Sequence, residues 1–343
     1  MRRMLNTLFI TTDGAYLRKE GESVVVSVKK ETKLRLPIHN LGGIVCFGRI
    51  ICSPALLGYC ARRGVAISYL SQNGRFLAKI QGPTSGNVLL RRDQYHRAES
   101  TEDSVPVARA VVLAKISNCR TSLLRAVRDH GEKSDPSRIE NAVKIMEQYL
   151  RELRAENNLD RIRGYEGQAS KTYFDVFNDM ITTQKDAFIL EGRTRRPPRD
   201  NVNALLSFLY TLLLHDTTSA LETVGLDPQV GFLHRFRPGR ASLALDLMEE
   251  LRPILADRLA ISLINLRQVN GSGFLRQETG GILMDDATRK TVISAYQKRK
   301  QEEILHPFLE EKFPMGMVFF AQALLLARYL RGDLDNYPPF FWK

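Results

Sequence analysis

The first 80 residues alternate between short apolar runs and turn residues, a pattern that predicts β-strands. The strongest run is Ser23–Val28 (SVVVSV), in which β-branched valines predominate. Further strands are predicted at Leu5–Ile10, Lys33–Leu36, Gly42–Phe47 and Val65–Leu70. Turns are predicted at Asp13-Gly14 and Asn73-Gly74, and a helix start at Ser53-Pro54. We expect a compact β-rich domain with one embedded helix.

From about residue 106 onward the pattern changes, because apolar residues recur at helical spacing. Helices are predicted near residues 106–129, 138–155, 160–183, 201–215, 241–268, 286–305 and 314–331. The polar stretch 98–106 (AESTEDSVP) lies between the two patterns and is the predicted domain boundary. The sequence therefore predicts an α+β protein, with a β-rich domain over residues 1–98 and an all-α domain over residues 99–343.

The charge of the chain indicates which class of partner it binds. The chain of 343 residues has a net charge of +12, which favours a polyanionic partner such as nucleic acid. The excess is uneven, since residues 1–98 contain 16 Lys and Arg but only 5 Asp and Glu. The acidic residues are thus concentrated in the helical part of the chain.

The cysteines and the apolar runs exclude other classes of protein. Four cysteines occur without a CxxC pair, so we expect no structural zinc site and a reducing, cytoplasmic compartment. The apolar stretch Ile50–Ala61 is interrupted by Ser53, Pro54 and Gly58 and is too short to span a bilayer. We expect a soluble protein without a membrane partner.

A histidine and two carboxylates form the candidate site that is most informative about function. His234 lies in a turn rich in Pro and Gly, and Asp246 and Glu249 follow on a predicted helix. Their spacing of three places both carboxylates on one helical face. Together with Glu166 in the segment RGYEGQASKTYF, these residues could bind a divalent metal ion. In a basic chain, such an ion suggests phosphodiester chemistry.

Arginines surround this candidate site in the sequence. Arg193, Arg195, Arg196 and Arg199 precede a helix that Asp200 or Asn201 should cap, and Arg235, Arg237 and Arg240 flank His234. Guanidinium groups bind phosphates with two parallel hydrogen bonds, so these residues are candidate phosphate clamps.

Each of these features also has a purely structural interpretation. Glu166 could be a surface glutamate on a tightly packed helix, and His234 could be an ordinary core or interface histidine. Asp246 and Glu249 could form a solvated helix face. The arginines could pair with acidic residues on neighbouring helices.

Three segments of the chain closely resemble the CRISPR-associated spacer-acquisition integrase family. They are GYEGQASKTYF, GRTRRPPRDNVNALLSFLYTLL and GFLHRFRPGRASLALDLMEELRP. The carboxyl-terminal LLARYLRGDLDNYPPFFW is similar to the tail of that family, particularly in the subtype I-C branch. The resemblance covers essentially the whole chain and implies a DNA endonuclease that integrates foreign DNA into the repeat array.

The resemblance also implies roles for particular residues. The metal ligands of the family fall on Glu166, His234 and Glu249, with Mg²⁺ or Mn²⁺ as the ion, and a supporting acid falls on Asp246. Aspartate is more usual in the family at position 249. The resemblance further implies a homodimer paired through the β-rich domains, with two dimers flanking a dimer of a small CRISPR-associated partner protein.

Two other functions stay open at the level of sequence. One is a stand-alone metal-dependent nuclease that acts on branched DNA. The other is an architectural DNA-binding protein whose carboxylates are structural and whose DNA binding depends on salt but not on metal.

Overall fold

A computed structural model describes residues 7–71, 76–80, 82, 88–130, 136–194 and 197–342. The chain divides into two compact units, one made of residues 1–86 with 315–317 and the other of residues 87–314 with 318–343. The first unit is rich in β-strands and the second is predominantly helical, which confirms the predicted fold class.

In its described residues, the β-rich unit contains two four-stranded sheets, one α-helix, α1 (Pro54–Arg63), and a 3-10 turn at Ile38–Asn40. The strands are β1 (Thr7–Ile10), β2 (Tyr16–Glu20), β3 (Ser23–Val28), β4 (Glu31–Pro37), β5 (Gly43–Phe47), β6 (Ile51–Cys52), β7 (Ala66–Leu70) and β8 (Phe76–Ile80). One sheet has the order β1-β5-β7-β8 and the other β4-β3-β2-β6. The first sheet is parallel from β1 to β7 and antiparallel at β8.

The core of this unit forms where the sequence places its continuous apolar runs. Val24 and Ile44 on the strands and Leu56 on α1 are completely buried in one cluster. The Ser53 side chain accepts a hydrogen bond from the backbone N–H of Leu56 at 3.3 Å, which confirms the predicted helix start. The Asn73-Gly74 turn lies outside the described residues.

The second unit is built from nine helices in the described part of the chain. They are α2 (Val88–Glu99), α3 (Thr101–His130), α4 (Ser137–Leu153), α5 (Leu159–Asp175), α6 (Asn201–Val224), α7 (Ser242–Glu249), α8 (Arg258–Asn265), α9 (Asp286–Gln301) and α10 (Val318–Leu330). A π-helical segment, Arg252–Asp257, lies between α7 and α8. Two short hairpins, β9 (Phe274–Arg276) with β10 (Ile282–Met284) and β11 (Glu303–Leu305) with β12 (Lys312–Pro314), interrupt what was predicted as an all-α domain.

The structure corrects the predicted domain boundary at residues 98–106. Ser100 separates α2 from α3, and its side chain accepts a hydrogen bond from the backbone N–H of Asp103 at 3.1 Å. Glu102 and Asp103 occupy the first turn of α3, where carboxylates interact favourably with the helix dipole. The polar patch is therefore a helix start, and the two compact units divide at Gly86 instead.

Helix α3 is the central element of the second unit and packs against α4, α5, α7 and the π-helical segment. With 30 residues it is roughly 45 Å long. Because it contacts both α5 and α7, it brings together stretches of chain that are far apart in sequence. None of the described helices is long and apolar enough to cross a membrane.

The carboxyl-terminal segment docks onto the end of α7 through buried hydrogen bonds. The Glu250 carboxyl accepts from the backbone N–H of Phe340 at 2.7 Å and from the Tyr337 hydroxyl at 2.7 Å. The Asn118 side chain on α3 donates to the carbonyls of Glu250 and Phe340 and accepts from the backbone N–H of Trp342. This network fixes the position of the helix end that carries Glu249.

The buried Glu250 carboxyl should make stability depend on pH. Burial raises its pKa from 4.5 to about 7, although the hydrogen bonds from Phe340, Tyr337 and Gln322 act in the opposite direction. Because the folded-state pKa is raised, its contribution to stability is fully present below about pH 4.5 and is lost as the pH rises through 7. The side chain of the Glu250→Gln variant mimics the neutral carboxyl. Over this pH interval, the free energy of unfolding of the wild type should therefore fall by on the order of 2 kcal/mol more than that of the variant. Urea unfolding at about pH 5 and about pH 8 tests this, and parallel losses in both proteins would contradict it.

Candidate active site

Asp246 on α7 organises the loop that carries His234. Its Oδ2 accepts hydrogen bonds from the backbone N–H groups of Phe232 at 2.6 Å and Leu233 at 2.9 Å. Its Oδ1 accepts from the backbone N–H of His234 at 2.9 Å and lies 2.6 Å from His234 Nδ1. Since an ionised carboxylate can only accept, Nδ1 carries the proton and Nε2 is left as the basic nitrogen.

The chain reaches this position only because residue 231 is glycine. A Cβ atom at Gly231 would lie 2.5 Å from Asp246 Oδ2 and 2.8 Å from the backbone nitrogen of Leu243. Further back, Gln94 on α2 holds the start of the loop by donating to the carbonyls of Asp227 at 2.8 Å and Val230 at 2.7 Å. The position of the imidazole is therefore determined by buried polar contacts on both sides of the loop.

Glu249 lies on the same face of α7 as Asp246, as the spacing of three predicts. Its Oε1 is 3.9 Å from His234 Nε2 and accepts a hydrogen bond from the Arg252 guanidinium. The side chain is 1% exposed. Burial alone would raise the pKa of this carboxyl, but the charges of Arg252 and Lys115 outweigh burial and lower it from 4.5 to about 2. Glu249 is therefore an anion throughout the physiological pH range.

Lys115 on α3 lies between Glu166 on α5 and Glu249 and contacts both carboxylates. The Lys115 Nζ lies 2.7 Å from Glu249 Oε2 and also donates to Glu166 Oε1. Burial would lower the pKa of Lys115, but Glu249 and Glu166 raise it, so the ammonium stays charged. The structure thus connects Glu166, Glu249 and His234 in one chain of contacts, with an ammonium group between the two glutamates.

The three predicted metal ligands do not form a direct three-ligand cage in this arrangement. Across residues 7–71, 76–80, 82, 88–130, 136–194 and 197–342, no group of three or more His, Cys, Asp and Glu side chains is placed to hold one ion. The chemistry of the donors still fits Mg²⁺ or Mn²⁺, because carboxylate oxygens and an imidazole nitrogen are suitable ligands. A positive charge already lies between Glu166 and Glu249, but it belongs to Lys115.

A cavity of about 430 Å³ opens beside Glu166 and Lys115. Its lining includes Arg193, Tyr210 and Asp257. The Tyr210 hydroxyl donates to Asp257 at 2.6 Å, and burial raises the pKa of Asp257 from 3.8 to about 6. Sequence reasoning missed Tyr210 and Asp257 as site residues, because their place beside the cavity depends on the packing of α6 against the π-helical segment.

The predicted phosphate-binding arginines have different surroundings. The Arg193 guanidinium lies 5.1 Å from the centre of the Tyr210 ring and donates to the side chain of Asn203. Its Nε and Nη2 atoms are buried and have no hydrogen-bond partner among the described residues. Arg199 and Arg237 are exposed, whereas Arg240 is half-buried. Arg195 and Arg196 lie outside the described residues.

Comparison with known proteins identifies the family of this chain. The profile of the family described as "CRISPR associated protein Cas1" matches residues 8–298. The chain belongs to the Cas1 family. It is 53% identical to the CRISPR-associated endonuclease Cas1 1 of Chlorobaculum tepidum over 343 residues, which cover 100% of both chains. Assignment to the subtype I-C branch stays a prediction.

Two solved structures share the Cas1 fold at low sequence identity. A casposase bound to an integration product is 22% identical, with a TM-score of 0.84, and the match covers 98% of this chain and 94% of that one. A chain of a Cas6-RT-Cas1–Cas2 complex is 20% identical, with a TM-score of 0.81, and the match covers 98% of this chain and 36% of that one. These likenesses confirm the architecture of the β-rich and helical units.

Within this Cas1 chain, Asp246 should act by positioning His234. The Asp246→Asn variant has one acceptor oxygen fewer, and its amide N–H₂ would face the N–H groups of the loop. We expect DNA cleavage to slow by about 10- to 100-fold, the range typical of residues that orient a metal-binding histidine. Cleavage rates at saturating DNA measure this effect. The matched control is Asp333→Asn, at an exposed carboxylate paired with Arg331, and a wild-type rate in Asp246→Asn would exclude the positioning role.

Proposed function

We propose that this Cas1 chain is a metal-dependent DNA endonuclease and integrase of CRISPR adaptation. In this proposal it joins the 3′-hydroxyl ends of foreign DNA fragments to the CRISPR repeat by transesterification. The observation that supports it best is one buried chain of contacts, in which Glu166 and Glu249 meet at the Lys115 ammonium and Nε2 of His234 lies 3.9 Å from Glu249 Oε1. Three separate stretches of sequence supply these side chains, and a buried carboxylate pair is costly unless a cation compensates it.

The residues that would hold the ion are Glu166, Glu249 and Nε2 of His234. The carboxylates suit Mg²⁺ and Mn²⁺ alike, and the imidazole favours Mn²⁺. When bound, a divalent ion stabilises the charge on the scissile phosphate and on the departing oxygen. Asp246 keeps the imidazole in the tautomer and orientation that leave Nε2 available.

The reaction itself conserves the number of phosphodiester bonds. The 3′-oxygen of the incoming DNA forms a new P–O bond while the bond from phosphorus to the 3′-oxygen of the target strand breaks. The attacking hydroxyl loses a proton and the leaving oxygen gains one. No nucleotide cofactor is therefore required, and water in place of the 3′-hydroxyl gives cleavage instead of strand transfer.

Basic residues near His234 are suited to holding the DNA backbone during this exchange. Arg237 and Arg240 lie in the loop that follows His234, and Arg199 lies just before α6. Phosphate contacts of this kind position a strand without reading its sequence, and they weaken as salt increases. We propose that these three arginines, with Arg193 at the edge of the cavity, hold the two DNA strands.

The partners in this proposal are DNA, a second copy of the chain and a small CRISPR-associated protein. We propose a homodimer paired through the β-rich units, with two such dimers flanking a dimer of the small partner. The shared fold with a chain of the Cas6-RT-Cas1–Cas2 complex supports a partner of this kind.

A strand-transfer assay tests the function directly. Purified protein is incubated with a supercoiled repeat-bearing plasmid and a short labelled duplex, with Mn²⁺ or Mg²⁺ and with or without chelator. We expect the label to enter the plasmid only with metal present and only when the duplex ends in a 3′-hydroxyl.

The same assay distinguishes the two alternative functions. A 3′-dideoxy duplex stops integration, but a stand-alone nuclease would continue to hydrolyse a branched DNA target under these conditions. An architectural protein would bind both DNAs in a salt-dependent manner, unaffected by chelator and without product. Hydrolysis of the branched target without entry of the 3′-hydroxyl duplex into the plasmid, or binding without any product, would exclude the integrase function.

A further inference from the structure

Lys115 is a charged side chain in an unusual position. It lies on α3 within the apolar run Val111–Ile116, and its side chain is 8% exposed. A buried ammonium is strongly unfavourable unless anions surround it. Lys115 has two such anions, Glu166 and Glu249, which come from different helices and meet at its Nζ atom.

These two anions are the carboxylates that the proposed function assigns to the metal ion. Lys115 contacts Oε1 of Glu166 and lies 2.7 Å from Oε2 of Glu249. A lysine ammonium and a divalent ion both compensate negative charge, and two cations cannot occupy the same space between these oxygens. Among the described residues no three-ligand cage forms, and Lys115 lies between the two carboxylates that an ion would share.

The cavity beside Lys115 provides space into which its ammonium group can move. Lys115 lines the cavity of about 430 Å³ together with Glu166 and Asp257. The lysine side chain has a flexible four-carbon stem, and a carboxyl group on the cavity wall can receive its charge. By contrast, the Arg252 guanidinium, which binds the other oxygen of Glu249, lies over the Tyr210 ring at 5.0 Å and is held there.

We propose that Lys115 is the resident cation of the metal-free site. It holds Glu166 and Glu249 together, competes with the divalent ion for their oxygens, and moves into the adjacent cavity when the ion binds. This inference rests on the proposed metal-dependent function. It adds that metal loading is an exchange of cations, so that affinity for the ion is set partly by the cost of displacing Lys115.

Metal binding to variants of the full-length protein, purified without DNA, tests this exchange. In Lys115→Met the competing charge is absent, so we expect Mn²⁺ to bind about tenfold or more tightly than in the wild type. Free Mn²⁺ can be followed by its electron paramagnetic resonance signal during titration, and the heat of binding by calorimetry. Without metal, the same variant leaves Glu166 without this cation and Glu249 with Arg252 alone, so Mn²⁺ should raise its melting temperature more than that of the wild type.

Three further variants distinguish an effect of the Lys115 charge on Mn²⁺ affinity from an effect of side-chain shape. Lys115→Arg retains a cation and should bind Mn²⁺ as weakly as the wild type. Lys171→Met removes an exposed lysine that lines the same cavity and should leave the affinity unchanged. If Lys115→Met does not fold without metal, Lys115→Gln, which can still donate a hydrogen bond to one carboxylate, should show the same tightening to a smaller degree.

The outcomes distinguish this inference from the proposed function. Equal or weaker Mn²⁺ binding in Lys115→Met and Lys115→Gln than in the wild type would overturn the role of Lys115 and leave the metal-dependent function standing. No Mn²⁺ binding in any of the proteins would overturn both. Tightening in Lys171→Met as large as in Lys115→Met would show that general charge, not displacement of Lys115, sets the affinity, and would also overturn the inference.

Discussion

The His234→Ala protein should lose strand transfer and DNA cleavage by about a thousandfold or more while it keeps its fold. The lost imidazole supplies Nε2, which lies 3.9 Å from Glu249 Oε1 and which the proposed function assigns to the ion. Removing one group that acts on the reacting atoms generally costs two to four orders of magnitude, roughly. Both reactions should fall together, since they share the same phosphate chemistry.

The fold should survive because the loop is held by backbone contacts that alanine retains. The N–H groups of Phe232, Leu233 and residue 234 still donate to Asp246. Thermal unfolding and DNA binding should therefore stay near those of the wild type. His39→Ala, at an exposed histidine of the β-rich unit, is the matched control and should be fully active. Metal-dependent strand transfer at the wild-type rate in His234→Ala would remove this residue from the site.

Much of the β-rich unit could be predicted from sequence because its strands are apolar and end at turn residues. The run Ser23–Val28 coincides with β3. Strand β2 was missed because its sequence, YLRKE, is largely polar and only Leu17 is fully buried. Its pairing with β3 comes from the hairpin, not from apolar periodicity.

Helix limits were less predictable where capping and proline override periodicity. The predicted helix 201–215 extends to Val224, because the left-handed cap occurs only at Gly225 (φ 90°). The predicted helix 241–268 is three elements, since α7 ends at Glu249 and Pro253 lies in the first turn of the π-helical segment that begins at Arg252. That irregularity lies directly beside Glu249 and places Arg252 against it.

The acidic part of the candidate site was predictable and its cationic part was not. Asp246 and Glu249 lie on one helical turn, so spacing alone brings their side chains to the same face. Lys115 meets Glu166 and Glu249 only through the packing of α3 against α5 and α7. The one signal in the sequence was a single lysine inside an apolar helical run, which is costly without a buried partner.

Replacing Glu249 should destabilise the protein far more than replacing Glu166. The Glu249→Ala variant leaves Lys115 and Arg252 buried without their shared anion, and a buried pair broken on one side typically costs about 3–5 kcal/mol. Glu166 is 26% exposed, and in Glu166→Ala the ammonium of Lys115 keeps Glu249 as a partner. We expect a loss of about 1 kcal/mol there. Urea unfolding at neutral pH compares the two.

A double substitution distinguishes an uncompensated charge from a simple packing defect. In Glu249→Ala the Lys115 ammonium keeps only the partly exposed Glu166 as its anion. If the cost of Glu249→Ala comes from this loss of negative charge, then adding Lys115→Met should recover part of the lost stability, because the second change removes one of the two buried cations. The coupling energy should be about 1–3 kcal/mol. Arg252 would still be unpaired in the double variant, so recovery should be incomplete. Strictly additive losses would instead mean that Glu249 stabilises the fold through its packing and not through the charges that it neutralises.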